Sequence, residues 1–253
     1  MTGMEQWKGK ICLITGASSG IGEETARRLA GHGVRVAIAA RRGERLETLK
    51  GEIEAQGGEA LALTTDLRDE ESITAMFAAL REQWGAADVL INNAGLGWEG
   101  SLIEGKNADW REMLEVNVLA LSICMREAIA QMRGKPDARI VNIASSLARR
   151  VPAGRGVGFY SATKYAVRAL NDGMRDELMI EGSPIKVSLV SPGLTATGFH
   201  ASFYRDAERA QDAYRKSQPM QPSDVTDAIC FVLSAPPHIV FDDLIFRSMG
   251  QVY

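Results

Sequence analysis

Tyr160 and Lys164 stand four residues apart in Tyr-Ser-Ala-Thr-Lys, at the head of a stretch with helical periodicity. Residues at that spacing share a helix face, so a phenol and an ammonium become neighbours. Free tyrosine titrates near ~10, and a nearby cation favours the phenolate and brings that value down. A phenol tuned in this way takes a proton from an alcohol or gives one to a carbonyl oxygen. The same spacing is common on solvated helices, so its meaning depends on its surroundings. Ser145 and Ser146 follow an apolar run over 139–144. A hydroxyl there can bond a substrate oxygen as charge develops on it. Neither serine has a histidine within sequence reach, and a nucleophile-elbow pattern is absent, which disfavours an acyl-transfer hydrolase.

The elements that must position these groups begin at Thr15-Gly16-Ala17-Ser18-Ser19-Gly20-Ile21-Gly22. This stretch follows the apolar run 11–14 and precedes a helical pattern over 23–29, which reads strand, glycine-rich turn, helix. Such a turn aims unpaired backbone N–H groups and a positive helix end at one point, where a pyrophosphate can sit. Glycine lets the backbone come close without a Cβ clash. The alternative is an ordinary tight strand-to-helix connection.

The next apolar run ends at Ala40 and is followed by Arg41 and Arg42. Dinucleotide folds that bind a free ribose 2′-hydroxyl carry an acid at this position, whereas an arginine suits a 2′-phosphate. With the acid missing, Arg41 can give a forked, charge-assisted bond to phosphate, so NADP is expected over NAD. Alternatively, both arginines are solvated and pair with Glu44 or Glu47. Asp66, just past the third run, either accepts from an adenine amino group or caps the helix that begins near Glu70. Asn92-Asn93-Ala94-Gly95 either admits a ligand close to the backbone or makes a tight turn. Asn117 lies in an otherwise apolar helical stretch and needs partners, either a bond between helix and sheet or a water leading to the active site.

Strand-like runs at 10–15, 35–40, 60–65, 88–92, 139–144, 186–190 and 243–247 alternate with helical patterns at 20–31, 44–56, 70–84, 108–132, 160–181 and 223–233. Short, almost continuously apolar runs suit strands covered on both faces. The alternation implies one α/β domain over 1–253, a doubly wound parallel sheet with helices on both faces. The least regular stretch, 193–222, reads as a substrate lid near 194–221 or as a surface excursion. The 253 residues carry a net charge of −3, which argues against nucleic-acid binding. No apolar run approaches the roughly 20 residues that a membrane-spanning helix needs. Met1 to Lys10 lacks a signal core, so a cytoplasmic location is expected. Cys12, Cys124 and Cys230 are widely separated, as are His32, His200 and His238, and no metal site is expected.

Taken together in this order, Thr15–Gly22, Asp66-Leu67, Asn92-Asn93-Ala94-Gly95, Asn117, Ser146, Tyr160 to Lys164 and Pro192-Gly193-x-x-x-Thr197 resemble the short-chain dehydrogenase/reductase family over nearly the whole chain. The resemblance implies a Rossmann fold, a nicotinamide cofactor and hydride exchange with a carbonyl or alcohol. It implies Tyr160 as acid–base residue, with Lys164 lowering its pKa and binding the nicotinamide ribose. Ser146 would hold the substrate oxygen, with Ser145 as the alternative, and Asn117 would hold a water in a proton relay. Gly16, Ser18, Ser19, Gly20 and Ile21 would surround phosphates and ribose, with Arg41 and Arg42 at the 2′-phosphate. Asp66 and Leu67 would meet adenine, and Asn93, Ala94 and Gly95 the ribose side. Pro192, Gly193, Thr195 and Thr197 would meet the nicotinamide amide or diphosphate. Homotetramers or homodimers through the helices over 108–132 and 160–181 are also implied.

The chain departs from the family's pattern in two places. The segment from Ser146 to Tyr160 is one residue longer than usual and carries Arg149, Arg150 and Arg155, which are solvated or attract an acidic substrate or cofactor phosphates. The tail lacks the Asp-Gly-Gly turn of many ketoreductases. Its residues 236–240, 244–247 and 250–251 resemble NADP-dependent 3-hydroxy acid, serine or clavulanate-type dehydrogenases, although Ser248 replaces the proline usual after the arginine. The expected function is NADP(H)-dependent hydride transfer to or from a small carbonyl or secondary alcohol, including hydroxy acids. Trp98, Arg149, Phe199, His200 and Phe203 are expected pocket walls. The rivals are a non-catalytic dinucleotide sensor and a lyase or epimerase with bound cofactor.

Overall fold

A computed structural model describes residues 3–153 and 156–251. The chain runs β1 (Ile11–Thr15), α1 (Gly20–Gly31), β2 (Arg35–Ala40), α2 (Gly43–Ala55), β3 (Glu59–Thr64), α3 (Glu70–Gln83) and β4 (Val89–Asn92). It continues α4 (Asn107–Leu114), α5 (Leu121–Met132), β5 (Arg139–Ile143), α6 (Gly158–Ile180), β6 (Lys186–Pro192), α7 (Phe199–Tyr204), α8 (Ala207–Ser217), α9 (Pro222–Leu233) and β7 (Asp243–Phe246). The strands form one parallel sheet in the order β3-β2-β1-β4-β5-β6-β7. This is the doubly wound Rossmann arrangement.

Alternation along β1 explains the continuous apolar runs. Ile11 and Leu13 face a core layer with Phe77, Ile129 and Val167 from α3, α5 and α6. Cys12 and Ile14 face the opposite layer with Leu29, Leu46 and Ile229 from α1, α2 and α9. Helices cover both sheet faces, so neither set of side chains meets water. Because strand order reverses between β1 and β4, their outgoing loops part and leave a crevice at the carboxyl edge.

The structure departs from expectation at three elements. The single helix expected over 108–132 is α4, a π-helical segment Glu115–Ala120 and α5. The widened turn holds Asn117, whose side chain bonds outside its own helix, and such bulges arise where an outside contact competes with the helical ladder. The stretch over 193–222, irregular in pattern, is largely helical as α7 and α8. α7 spans six residues and α8 buries only Ala210, so neither carries a stripe of large apolar residues. β6 extends through Ser191 and Pro192 because its register with β7 continues to Pro192 opposite Phe246.

Candidate active site

The glycine turn is built by close approach. Gly16 has φ 69° and Gly20 φ 62°, backbone that side chains rarely adopt. A Cβ on Gly16 would stand 2.7 Å from Ala94 Cα, and one on Gly22 2.5 Å from Asn93 Nδ2. Asn93 Nδ2 donates to Thr15 O at 3.0 Å and Gly16 O at 3.2 Å, stapling the turn to the end of β4. Thr15 Oγ1 accepts from the Asn93 and Ala94 amides, each at 3.2 Å. Asn92-Asn93-Ala94-Gly95 therefore both packs the turn and lines the cleft. No side chain caps the N-terminus of α1 at Ser19, which leaves its amides facing the cleft.

Beyond the turn, Arg41, Arg42 and Arg45 line one end of the cleft. Arg42 does not pair with Glu44 or Glu47. Its Nη2 donates to Ser18 Oγ and Ser19 Oγ, each at 2.8 Å, and its Nε to Ser18 Oγ at 3.1 Å. Partial burial and its neighbours Arg45 and Arg41 draw Arg42 below the usual guanidinium range. Three clustered cations suit a phosphate dianion. Arg45 lies in the first turn of α2, its amide bonded to Arg42 O at 3.1 Å, and its closeness in sequence to Arg41 and Arg42 is the signal that could have found it. Asp66 and Leu67 line the same end. Asp66 does not cap α3, since Asp69 accepts from the Glu71 amide at 3.0 Å. Arg68 instead grips Asp66 at 3.0 and 2.6 Å and holds its carboxyl down at about 2.

At the other end, Tyr160 and Lys164 sit one turn apart on α6, both buried. Lys164 Nζ donates to Ile143 O at 2.9 Å and lies 5.9 Å from the Tyr160 ring centroid. Burial pushes the Lys164 ammonium down to about 8. The phenol does not behave as expected from its cationic neighbour. Burial pushes Tyr160 above the ordinary tyrosine value, and a hydrogen bond with Ser145 opposes that only in part. Ser145, not Ser146, is thus the hydroxyl on the phenol. Ser145 is extended and its Oγ accepts from the Leu147 amide at 3.1 Å, while Ser146 opens the 3-10 turn Ser146–Ala148 and is buried. Phe199 and Phe203 of α7 stand over the Tyr160 ring, with centroids 5.5 and 5.9 Å away. The cleft that joins both ends measures about 1250 Å³. Single-ligand pockets run roughly 300–1,000 Å³, so a dinucleotide and a second small molecule fit together.

A family model described as short chain dehydrogenase matches residues 10–208. The chain belongs to the short-chain dehydrogenase/reductase family. It is 42% identical over 254 residues to dehydrogenase/reductase SDR family member 11 of Bos taurus, covering 98% of this chain and 100% of that one. It is 34% identical to farnesol dehydrogenase of Aedes aegypti over 99% of this chain and 100% of the other. Among solved structures, a closed serine dehydrogenase complexed with NADP+ superposes with a TM-score of 0.89 at 30% identity, covering 96% of each chain. This chain is an oxidoreductase of that family.

Several family positions take local forms here. Both amide hydrogens of Asn117 are spent, on Leu96 O at 2.7 Å and Thr163 Oγ1 at 3.0 Å, while its Oδ1 accepts from the Leu96 amide. The side chain therefore clamps helix to loop. Thr195 Oγ1 turns to Gly193 O at 3.1 Å, and Pro192, Gly193 and Thr197 line the cleft beside it. Thr197 faces Gly20 and accepts from Tyr214 Oη at 2.7 Å, which ties α8 to the cofactor end. Burial pushes His200 down to about 4. Of the expected walls, Trp98, Phe199, His200 and Phe203 line the cleft. Arg149 does not, since it pairs with Asp243 at 3.0 Å. Arg155 lies outside the described residues. Leu96, Val157, Glu99 and Arg209 also line the cleft; Leu96 and Val157 flank the motifs, and adjacency to them is the signal that could have found these two, whereas Glu99 and Arg209 carried none.

Proposed function

We propose that this chain transfers hydride between NADP(H) and a carbonyl or secondary alcohol. The observation that carries the reading is the convergence of Tyr160, Lys164 and Ser145 on one cleft whose far end is the Gly16–Gly20 turn and three arginines. The residues fit the cofactor. Gly16 and Gly22 give a cradle that a Cβ would fill, the amides of α1 suit the pyrophosphate, and Arg41, Arg42 and Arg45 suit the 2′-phosphate. The nicotinamide, when bound, supplies the hydride chemistry. Tyr160 exchanges the proton with the substrate oxygen, and Ser145 bonds that oxygen as its charge changes. A phenol held above its ordinary value is protonated at neutral pH, which suits carbonyl reduction. Alcohol oxidation is expected to rise with pH well above neutrality.

Helices α7 and α8 serve as the substrate lid, a reading supported by Phe199 and Phe203 over Tyr160. Leu114, Leu119 and Tyr165 lie exposed on α4, the π-helical segment and α6, which supports a homo-oligomer through those helices. Light scattering on the purified chain tests that assembly, and a monomer would refute it.

Tyr160→Phe is expected to lower turnover about 10²–10⁴-fold while NADPH affinity stays within twofold. Unchanged turnover would refute the assignment. Arg41→Ala is expected to weaken NADPH binding roughly tenfold or more and leave NADH binding unchanged, from the worth of a charge-assisted bond. Equal losses for the two cofactors would remove the 2′-phosphate role.

A further inference from the structure

The two ends of the cleft have opposite character. The arginines gather at the Ser18–Ser19 end, whereas Leu96, Trp98, Val157, Phe199 and Phe203 wall the space above Tyr160. Phe199 and Phe203 stack at 5.9 Å with their planes 23° apart. Among the described residues at this end, each cation is already engaged. Arg209 meets both carboxylate oxygens of Glu99 at 2.5 and 2.7 Å, and Lys164 is held beneath the Tyr160 ring by Ile143 O, on the side away from Phe199 and Phe203 where its spare donors serve the phenol and the proposed nicotinamide ribose. Arg205 pairs with Asp109 at 2.7 Å and lies over the Trp98 ring at 4.5 Å. His200, partly buried and with Nδ1 at 3.2 Å from Tyr214 Oη, is neutral at pH 7. Glu99 and Glu112 add carboxylates to the lining, and Glu112 accepts from Trp98 Nε1 at 3.0 Å. Glu99 and Glu112 are themselves paired, with Arg209 and Arg68, so a substrate carboxylate here would lose its water against aromatic walls and compete with a carboxylate already in place for either arginine.

Building on the hydride-transfer reading, we propose that the substrate is an uncharged, apolar ketone or its secondary alcohol, and that keto and hydroxy acids are rejected. Phe199 and Phe203 grip the hydrocarbon, and Glu99 keeps Arg209 from recruiting an acid. In the reductive direction the carbonyl carbon gains hydride, its oxygen gains the Tyr160 proton, and NADPH becomes NADP+.

The charge is isolated by comparing methyl 2-oxo-4-phenylbutanoate with 2-oxo-4-phenylbutanoate, which present the same ketone and skeleton. NADPH consumption is expected to give the ester a kcat/KM about 100-fold above the acid, and titration calorimetry of the NADP+ complex at least about tenfold tighter binding. A ratio near one, or in favour of the acid, would overturn the proposal. Glu99→Gln is expected to raise the acid's kcat/KM about tenfold by freeing Arg209, and an unmoved ratio would overturn that role. Phe199→Ala is expected to raise KM for the ester several-fold, and an unchanged KM would overturn the grip. Turnover of 2,3-butanedione without turnover of the ester would overturn the substrate class and leave the hydride reading standing. No NADPH consumption with any of the three compounds, with NADPH still bound, would overturn both.

Discussion

Strand β5 carries a buried cation at each end, and the two are treated differently. At its amino end Arg139 is 2% exposed, and at its carboxyl end Lys164, 4% exposed, bonds the last carbonyl of the strand. Arg139 uses its whole fork. It donates to Asp137 through Nε and Nη2, to Val232 O and Leu233 O at 3.1 Å, and to Ala235 O at 2.7 Å. The first two carbonyls end α9 and the third lies just past it, where a cation also meets the negative end of the helix dipole. Trp7 lies under the guanidinium at 5.1 Å. Lys164, by contrast, has one carbonyl and a phenol above it, and burial holds its ammonium at about 8. A buried charge with every donor matched is architecture. One left short of partners has capacity for a ligand and for proton chemistry.

Substitutions at the two ends should separate these roles. Arg139→Met is expected to cost about 3–5 kcal/mol of stability by leaving Asp137 and the α9 carbonyls short of a donor, with kcat of the folded enzyme within twofold. Denaturant unfolding and initial rates measure both, and a stable variant would break the comparison. At the carboxyl end, Ser145→Ala is expected to lower kcat about 10²-fold, whereas Ser146→Ala changes it little. The reverse order would return the oxygen-binding role to Ser146. The smallest and sharpest effect concerns stability at Lys164. Its folded value of about 8 lies below the unfolded ~10.4, so the unfolded chain binds more protons between them and stability rises with pH across that window. Lys164→Met should therefore raise Tm at pH 7, a gain that fades as pH climbs from 8 towards 10. A lowered Tm at pH 7 would show that Lys164, like Arg139, is structural.

The motifs that lie within one turn of chain were legible in advance. Thr15–Gly22 reads as strand, turn and helix because Gly16 and Gly20 must accept left-handed backbone, a local demand, whereas the close contact of Gly16 and Gly22 with Ala94 and Asn93 is tertiary. Tyr160 and Lys164 share a face through helical spacing alone. The choice between Ser145 and Ser146 was not legible. It depends on β5 stopping at Ile143 and on Ser145 capping the following 3-10 turn, and pattern fixes such ends only to a residue or two. The direction of the Tyr160 shift was equally hidden. A cation four residues away argues downward, but the burial that pushes upward comes from Gly97, Phe199 and Phe203, brought in from the loop after β4 and from α7. Likewise, nothing around Asn117 reveals that its amide clamps Leu96.

The order of apolar runs and glycines determined a parallel sheet, a dinucleotide-type turn and a phenol–ammonium pair, because periodicity and local backbone demands are written along the chain. The tertiary structure alone decided which serine meets the phenol, which arginines remain available to a ligand and how dry the reactive end is. Those properties are sums over neighbours from separate segments, and a linear pattern does not record which segments meet.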